Sequence, residues 1–250
     1  MKTYKGRVVI ITGGSSGIGK TTALSLAAMG ARVFITGRRA EGLNDTAENQ
    51  PNIESIVADT AEPKDAVRTV ARVIERWGRL DVLINNAGAG AIMPLDGATA
   101  QRITDIFAVN VIGPSLLAKE SLPHLKETKG SIINISSTYG SKPGAGLSHY
   151  GASKAALEYL TRSWALELAP AGIRVNAVAV GPTETGALEG MMGLTHEQAE
   201  AVRQYEKQQI PLGRRGDPHD ISRWIISLAD PSAEWITGQV LAVDGGLGLV

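Results

Sequence analysis

The chain has 250 residues, of which 43% are hydrophobic and 20% are charged, and its formal net charge at pH 7 is zero. A chain of this size buries a substantial core, and no composition shift or low-complexity linker divides it, so we expect a single domain spanning 1–250. The balanced charge argues against nucleic acid as a partner, and the absence of cysteine excludes disulfides and thiolate chemistry.

Apolar segments alternate with helical segments along the whole chain. Strands are predicted near Val8, Val33, Ile53, Val82, Ile132, Val175 and Val240. They are short and largely apolar, which is typical of parallel strands that helices cover on both faces. We therefore predict an α/β fold of the Rossmann type, with a doubly wound, seven-stranded parallel sheet that binds ligands at the carboxyl ends of its strands.

A glycine-rich turn follows the first predicted strand. Residues 12–19 read TGGSSGIG and lie between an apolar run and a helical stretch. Glycines allow a tight turn that approaches a pyrophosphate, whose charge the start of a helix favours. A plain turn between strand and helix is the alternative, but a second strand at 33–36 favours nucleotide binding. Small residues on one helix face permit close packing on the sheet: Gly19, Ala23, Ala27 and Gly30.

The end of the second predicted strand bears on the choice of cofactor. An NAD-binding chain has an acid about 20 residues beyond the glycine turn, where it binds the ribose 2′-hydroxyl. Here the sequence reads Gly37-Arg38-Arg39, and Arg38 is suited to pairing with a 2′-phosphate. NADP is therefore the preferred cofactor and NAD the alternative. In the opposite interpretation, Arg38 and Arg39 form a solvated loop tip near Glu41.

Tyr150 and Lys154 stand four residues apart, so a helix places the phenol and the ammonium group on one face. A free tyrosine has a pKa of about 10, and a close cation lowers that pKa toward neutrality. The pair therefore suggests acid/base chemistry. An exposed Tyr and Lys on an ordinary helix is the alternative.

Further motifs agree with the glycine turn and the Tyr-Lys pair. The sequence NNAG at 85–88 follows the fourth predicted strand, ITGQ occupies 236–239, and VDGG occupies 243–246. With these motifs the chain resembles the classical short-chain dehydrogenase/reductase family from about residue 6 to residue 246. The resemblance matches the family's catalytic tetrad, in order and spacing, to Asn110, Ser137, Tyr150 and Lys154.

The resemblance and the chemistry imply the same catalytic roles. Tyr150 donates a proton to a carbonyl oxygen during reduction and takes it back during oxidation. Lys154 lowers the tyrosine pKa and, by resemblance, holds the nicotinamide ribose. Ser137 stabilises charge on the substrate oxygen, with an ordinary turn serine as the alternative. Asn110 resembles a family residue that holds a water beside the lysine, and its alternative is a buried, hydrogen-bonded helix residue.

The resemblance also implies the residues that contact the dinucleotide. Asp59 matches a residue that accepts a hydrogen bond from the adenine amino group, and an exposed turn aspartate is its alternative. The family usually has Pro-Gly after the sixth strand, whereas this chain has Val180-Gly181-Pro182, which permits a different loop path. The predicted set is Gly13, Ser15, Ser16, Gly17, Ile18, Gly19, Arg38, Arg39, Asp59, Thr60, Asn86, Ala87, Gly88, Tyr150, Lys154, Gly181, Thr183 and Thr185.

A substrate lid is expected at about 186–209, where Met191, Met192 and Leu194 provide adaptable apolar surface. The expected substrate is a small-molecule carbonyl or alcohol, such as a ketone or a 3-oxoacyl compound. A reductase of substrates linked to a carrier protein is expected to have basic residues around the cleft. Ser131 and Ala171 occupy the positions at which such residues are expected, which favours an apolar ketone. The alternatives are an NAD-dependent secondary alcohol, sugar or polyol dehydrogenase and a dinucleotide-binding regulator without turnover. The intact tetrad argues against the regulator.

The remaining expectations concern metals, location and assembly. The four histidines show no short ligand spacing, so no metal site is expected. No apolar run approaches the roughly 20 residues that span a bilayer, and the first apolar stretch is too short for a signal peptide. We therefore expect a cytoplasmic protein without membrane contact. The resemblance and the mostly nonpolar sequence 240–250 predict a closed homotetramer.

Overall fold

The computed structural model describes residues 4–250, whose strands form one seven-stranded sheet. The strands are β1 (Val8–Thr12), β2 (Arg32–Gly37), β3 (Ile53–Val57), β4 (Val82–Asn85), β5 (Ser131–Ser137), β6 (Arg174–Val180) and β7 (Val240–Val243). The α-helices are α1 (Gly17–Ala28), α2 (Ala40–Ala47), α3 (Pro63–Trp77), α4 (Ala100–Phe107), α5 (Gly113–Thr128), α6 (Ser148–Leu168), α7 (Ala187–Gly190), α8 (His196–Gln209) and α9 (Pro218–Ala229). None of the helices in this described range is both long and apolar enough to cross a membrane.

The sheet is parallel throughout, with strand order β3-β2-β1-β4-β5-β6-β7. The chain builds outward from β1 to β3 and then returns to place β4 beside β1, with Val9 opposite Val82. This reversal creates the crevice between β1 and β4 in which doubly wound sheets bind ligands. Each of the seven predicted strand positions lies in a strand, so the predicted fold class is confirmed.

Alternate residues of β1 face opposite layers of helices, because successive side chains of a strand point to opposite faces. Val9 and Ile11 belong to a core with residues of α1 and α9, whereas Val8 and Ile10 belong to a second core with residues of α3, α5 and α6. All five residues of β1 are buried. The central strand is therefore covered on both faces, which explains its continuous apolar sequence.

Helix α1 packs closely on the sheet, as its small residues predict. Gly19, Ala23 and Ala27 are buried, and α1 also lies against α9. Gly30 does not belong to this face, because α1 ends at Ala28 and Gly30 has a φ of 88° in the turn that follows. Its role is to end the helix, since a left-handed conformation suits glycine.

Candidate active site

The predicted site residues gather at one edge of the sheet. Gly13 follows β1, Asp59 follows β3, Asn86 follows β4, Ser137 ends β5 and Gly181 follows β6. Because all seven strands run in the same direction, their carboxyl ends share this edge. The fold therefore brings together segments that are far apart in the sequence.

The glycine turn has no room for larger residues. Gly13 and Gly17 have φ values of 68° and 51°. A Cβ atom on Gly19 would lie 2.3 Å from the Gly13 carbonyl oxygen, and one on Gly13 would lie 2.9 Å from Asn86 Nδ2. Ser16 precedes α1 without a side-chain cap, so the first N–H groups of this helix stay available to an anion.

Thr12 holds the turn against the loop that follows β4. Its hydroxyl accepts hydrogen bonds from the backbone N–H groups of Asn86 (3.0 Å) and Ala87 (2.9 Å). The Asn86 amide in turn donates to the carbonyl oxygens of Thr12 (2.9 Å) and Gly13 (3.2 Å). Asn86 and Ala87 were predicted as cofactor residues, but the brace from Thr12 was not predicted. The sequence feature that could have indicated this role of Thr12 is a hydroxyl at the last position of an otherwise apolar strand.

A cavity of about 760 Å³ opens beyond the ends of β2 and β3. It is lined by Arg38, Val57, Ala58, Asp59, Lys64, Asp65 and Arg68. The Asp65 carboxylate accepts a hydrogen bond from the Asp59 backbone N–H (2.8 Å) and forms an ion pair with Arg68 (2.9 Å). Of the two arginines that line the cavity, Arg68 is paired with Asp65 and with the Val57 carbonyl oxygen. Lys64 and Arg68 were not predicted, because they lie on α3, away from the motifs.

Other predicted cofactor residues lie around this end of the site. Ser15 contacts the end of β2, since a Cβ atom on Gly37 would lie 3.3 Å from its hydroxyl. Arg39 is exposed at the start of α2 and does not line the cavity. Thr60 lines a smaller neighbouring cavity, and a Cβ atom on Gly113 would lie 2.3 Å from its carbonyl oxygen.

Tyr150 and Ser137 meet where α6 begins beside the end of β5. Both side chains are buried, with 8% and 5% of their surface exposed. Burial raises the pKa of Tyr150 above its ordinary value, and a hydrogen bond with Ser137 acts in the opposite direction. The pKa of Tyr150 is thus raised by burial, whereas the Tyr-Lys spacing led us to expect a lowered pKa. The phenol is therefore protonated near neutral pH.

Lys154 lies one turn further along α6 and is also buried. Its Nζ atom donates to the Ile135 carbonyl oxygen of β5 (2.9 Å) and lies 5.9 Å from the centre of the Tyr150 ring. Burial lowers the pKa of Lys154 to about 8, against an upward influence of Glu158. The ammonium group thus remains charged at pH 7, in a place that penalises the charge.

Asn110 lies in a π-helical turn, Ala108–Ile112, between α4 and α5. Its amide group donates to the Ala89 carbonyl oxygen (2.8 Å) and to Ser153 Oγ (2.9 Å), and it accepts from the Ala89 N–H (2.8 Å). Asn110 therefore links the loop after β4 to the residue before Lys154. Asn110 is buried and hydrogen-bonded, which is compatible with the role beside the lysine that the resemblance implies.

The loop after β6 reaches back to the glycine turn. A Cβ atom on Gly17 would lie 3.0 Å from the Thr185 methyl group. Thr183 donates to the Gly181 carbonyl oxygen (3.0 Å), and a Cβ atom on Gly181 would lie 2.5 Å from Asp244 Cα. The Asp244 carboxylate accepts from Thr138 Oγ1 (3.1 Å), next to Ser137. The loop is thus packed between the two ends of the site.

The expected lid segment contains α7 and α8, and its two methionines cover the buried pair. A Cβ atom on Gly88 would lie 3.6 Å from Lys154 Nζ and 3.7 Å from Met191 Sδ. One on Gly90 would lie 2.9 Å from Met192 Sδ and 3.1 Å from the Tyr150 ring. The space above Tyr150 is therefore bounded by flexible, apolar sulfur side chains.

One argument about the substrate does not hold in the structure. Ser131 begins β5 and is buried, and Ala171 precedes β6. Both residues lie near the amino ends of strands, at the opposite edge of the sheet from the site. Their lack of charge therefore says nothing about the cleft.

The residues fit a nicotinamide dinucleotide. Gly13 and Gly17 let the backbone of the turn come close to the start of α1, as a pyrophosphate requires. The cavity after β3 offers both a cation and a carboxylate, and the buried Tyr150 and Lys154 lie at the other end of the crevice. The doubly wound sheet and these groups together define a dinucleotide-dependent oxidoreductase.

Comparison with known sequences leads to the same class. A family model described as enoyl-(acyl carrier protein) reductase matches residues 13–248. The 3-oxoacyl-(acyl-carrier-protein) reductase of Thermotoga maritima is 36% identical over 248 residues, which cover 97% of this chain and 98% of that protein. Glucose 1-dehydrogenase of Gluconobacter oxydans is 37% identical over 253 residues, which cover 98% of this chain and 93% of that protein.

Solved structures are equally similar. A short-chain dehydrogenase/reductase of unknown function from Caenorhabditis elegans, crystallised with cofactor, has a TM-score of 0.91 and 34% identity, covering 99% of this chain and 97% of that chain. A 3-ketoacyl-(acyl-carrier-protein) reductase from Brucella melitensis, complexed with NADH, has a TM-score of 0.91 and 32% identity, covering 98% and 100%. The chain belongs to the short-chain dehydrogenase/reductase family of NAD(P)-dependent oxidoreductases. The resemblance found in the sequence is confirmed.

Proposed function

We propose that the protein is an NADP(H)-dependent reductase of a ketone or a 3-oxoacyl-type carbonyl, with Tyr150 as the acid/base. The observation that carries this proposal is the buried group of Tyr150, Ser137 and Lys154 at the carboxyl edge of the sheet. The names of the similar Thermotoga and Brucella reductases support a carbonyl substrate. A regulator without turnover would not need a buried lysine, whose charge is costly to hold there.

Each side chain has a distinct task in this mechanism. The bound dinucleotide supplies a hydride to the carbonyl carbon or accepts one from the alcohol. Tyr150 donates its proton to the carbonyl oxygen, which suits a phenol that burial keeps protonated near neutral pH. Ser137, hydrogen-bonded to the phenol, stabilises charge that develops on the same oxygen.

Lys154 and Asn110 support the acid/base group. Lys154 would hold the nicotinamide ribose through its ammonium group and counter the charge left on Tyr150 after proton donation. Asn110 keeps the loop after β4 fixed against α6 through its bonds to Ala89 and Ser153. The glycine turn would hold the pyrophosphate, with Ser15, Ser16 and Ile18 around it.

NADP is the proposed cofactor because Arg38 lines the cavity at the end of β2. A charged hydrogen bond to the 2′-phosphate contributes about 1.5 to 3 kcal/mol, which corresponds to a preference of roughly 10- to 100-fold. Exchanging Gly37 for Asp and Arg38 for Ser should reverse the preference, since a carboxylate binds the ribose diol and repels phosphate. Comparison of kcat/KM for NADPH and NADH tests this. Equal wild-type values would mean that Arg38 points into solvent.

An apolar or 3-oxoacyl carbonyl is the proposed substrate, because Met191 and Met192 bound the space over Tyr150. The four-residue interval between Tyr150 and Lys154 favours carbonyl over enoyl reduction, for which a wider interval is expected. A panel of ketones, 3-oxoacyl thioesters, enoyl thioesters and alcohols, followed by NAD(P)H absorbance with both cofactors, tests the assignment. Turnover confined to enoyl thioesters would overturn it.

The second candidate is an NAD-dependent sugar, polyol or secondary alcohol dehydrogenase. It is favoured by the 37% identity to the Gluconobacter glucose 1-dehydrogenase and by the NADH in the Brucella reductase structure. Sugars and polyols belong in the same panel for this reason. Oxidation of a polyol with NAD at a higher kcat/KM than any ketone reduction would select this candidate.

A closed homotetramer is the proposed assembly. Large apolar side chains are exposed on α6, at Tyr159 and Leu166, and near the end of the chain, at Trp235 and Leu249. Exposed apolar side chains on more than one segment suit the twofold interfaces that a tetramer of dihedral symmetry needs. The cytoplasmic location stays a prediction.

A further inference from the structure

Arg215 is a buried cation that the proposed mechanism does not use. It lies between α8 and α9, and its side chain is only 3% exposed. Its guanidinium group donates to the Thr183 carbonyl oxygen (2.6 Å) and forms ion pairs with Glu184 (3.3 Å) and Glu206. A buried charge is costly unless acceptors surround it. The acceptors of Arg215 come from two segments, so the side chain joins the loop after β6 to the last turn of α8.

The Arg215 side chain lies at the base of the proposed lid, residues 186–209. Glu184 precedes this segment and Arg215 follows it. Two backbone hydrogen bonds join these ends: the Gly216 N–H donates to the Pro182 carbonyl oxygen (2.9 Å), and the Glu184 N–H donates to the Gly216 carbonyl oxygen (2.8 Å). The lid therefore leaves the edge of the sheet and returns to it at one place.

Further ion pairs run from this base into the lid helices. Arg203 lies one turn before Glu206 on α8. It forms an ion pair with Glu189 of α7 (2.8 Å) and lies 3.9 Å from Glu184. The two methionines that bound the space over Tyr150 directly follow α7. The position of these side chains thus depends on the charges at the base of the lid.

Arg215 balances carboxylates that have few other partners. The Glu206 side chain is 13% exposed, and within the described range it forms no other ion pair. Glu184 is 44% exposed, and its second arginine, Arg203, is further away and already paired with Glu189. Removing the guanidinium group would leave Glu206 as a largely buried, unpaired carboxylate near Glu184. Such a group favours conformations that return it to water.

We propose that Arg215 is a positioning residue that holds the lid over Tyr150 by neutralising Glu184 and Glu206 at the lid base. The inference rests on the proposed function, because it takes residues 186–209 as the substrate lid. Without the guanidinium group, the lid should be open for a larger fraction of the time. Substrate would then bind more weakly, since the closed fraction sets the apparent affinity, whereas bound substrate would still draw the lid closed.

The test compares wild type with Arg215→Met, which keeps a long side chain and removes the charge. We expect KM for the ketone to rise by about 10-fold and kcat to change by less than about 3-fold, because affinity follows the closed fraction. Amide hydrogen exchange, followed by mass spectrometry of the dinucleotide-free protein, should be faster by at least about 10-fold in peptides from 186–209. Peptides from the sheet should exchange as in wild type.

Two further variants separate charge from packing. Glu206→Gln, added to Arg215→Met, removes the unpaired carboxylate and should bring both KM and lid exchange back toward wild type. A role in packing alone predicts no such recovery. Arg223→Met is the matched control, because Arg223 is 64% exposed on α9 and pairs with Asp220 there (3.2 Å). It should change neither measurement.

If Arg215→Met does not fold, Arg215→Lys and Arg215→Gln replace it, and the lysine variant should have the slower lid exchange of the two. Unchanged lid exchange in Arg215→Met, faster exchange throughout the chain, or no recovery in the double variant overturns the proposal. So does equal lid exchange in the lysine and glutamine variants. Absence of ketone turnover in wild type would instead count against the proposed function, because hydrogen exchange does not depend on turnover.

Discussion

The phenol oxygen of Tyr150 is the atom on which the proposed proton transfer depends. Tyr150→Phe removes that oxygen and little volume, so dinucleotide binding should stay close to wild type. Ketone reduction should fall by at least about 100-fold, because a positioned general acid contributes that much or more. Stopped-flow or steady-state NADPH oxidation measures the rate, and fluorescence titration measures binding.

Tyr159→Phe is the matched control for this change. Tyr159 is on the same helix but 71% exposed, so its loss of a hydroxyl should change neither rate nor binding. Normal turnover in Tyr150→Phe would remove Tyr150 from the mechanism.

Lys154 should lower the stability of the free protein at neutral pH. The pKa of Lys154 is about 8 in the folded chain, against 10.5 for an ordinary lysine such as that of the unfolded chain. The folded state therefore binds the lysine proton less tightly than the unfolded state. At about 1.4 kcal/mol per pKa unit, Lys154→Met should raise the free energy of unfolding at pH 7 by about 3 kcal/mol. The gain should shrink as pH rises from 8 to 10.5, because the wild type gains stability across this interval.

Denaturant unfolding of both proteins at pH 7 and near the upper end of that interval measures the difference. A gain that stays constant with pH would mean that packing, and not the buried charge, separates the two proteins. Lys154→Met should at the same time lose reduction activity, since the lysine is kept for function at a cost in stability.

Residue spacing predicted which side chains lie close together, but not their electrostatics. The interval between Tyr150 and Lys154 predicted a shared helix face, which α6 provides. The predicted lowering of the Tyr150 pKa was wrong, because burial outweighs the hydrogen bond with Ser137 and raises the pKa. Burial depends on what lies around a side chain, here the loop at Gly90 with Met192 beside it, and spacing does not contain that information.

At the scale of elements, the glycine turn makes the sharpest prediction. Gly19→Ala places a Cβ atom 2.3 Å from the Gly13 carbonyl oxygen, in backbone that cannot rotate away. The turn must shift, so dinucleotide binding should weaken by at least about 10-fold, which corresponds to roughly 1.4 kcal/mol. Isothermal titration with NADPH measures this loss.

Gly97→Ala is the control for that substitution. Nothing lies within 4 Å of its Cβ position, so affinity and melting temperature should match wild type. Wild-type affinity in Gly19→Ala would mean that the turn does not approach the pyrophosphate.

Most strands were predictable from sequence because they are short, largely apolar runs, as Val8–Thr12 is. The π-helical turn around Asn110 was not. Its sequence, AVNVI, is compatible with an ordinary helix, and the extra residue in the turn is fixed by the bonds that Asn110 makes to Ala89 and Ser153. Such turns occur often at functional sites, where tertiary contacts override local preference.

At the scale of the whole molecule, the exposed apolar side chains on α6 and at Trp235 and Leu249 lead us to expect a tetramer. We expect light scattering at micromolar concentration to give the mass of four 26.3 kDa chains. Leu166→Glu places a charge on the α6 surface, where Leu166 is 82% exposed. The variant should dissociate to dimers, because a buried, unpaired charge at an interface is strongly unfavourable.

Leu95→Glu is the control, since Leu95 is 80% exposed but lies in a short turn before α4 and not on α6. Its mass should stay that of the wild type. A monomeric wild type would exclude the tetramer, and a tetrameric Leu166→Glu variant would move the interface away from α6.

The contact between Gly181, Asp244 and Thr138 has a consequence for biosynthesis. Ribosomes make a chain from its amino end at about 5–20 residues per second, so the glycine turn and the strands of the nucleotide cavity emerge first. The strand that carries Ser137 follows, and Asp244, which accepts a hydrogen bond from Thr138, is translated 106 residues after it. A nascent chain therefore holds the segments proposed to bind the dinucleotide well before it can make the Asp244 bond beside Ser137.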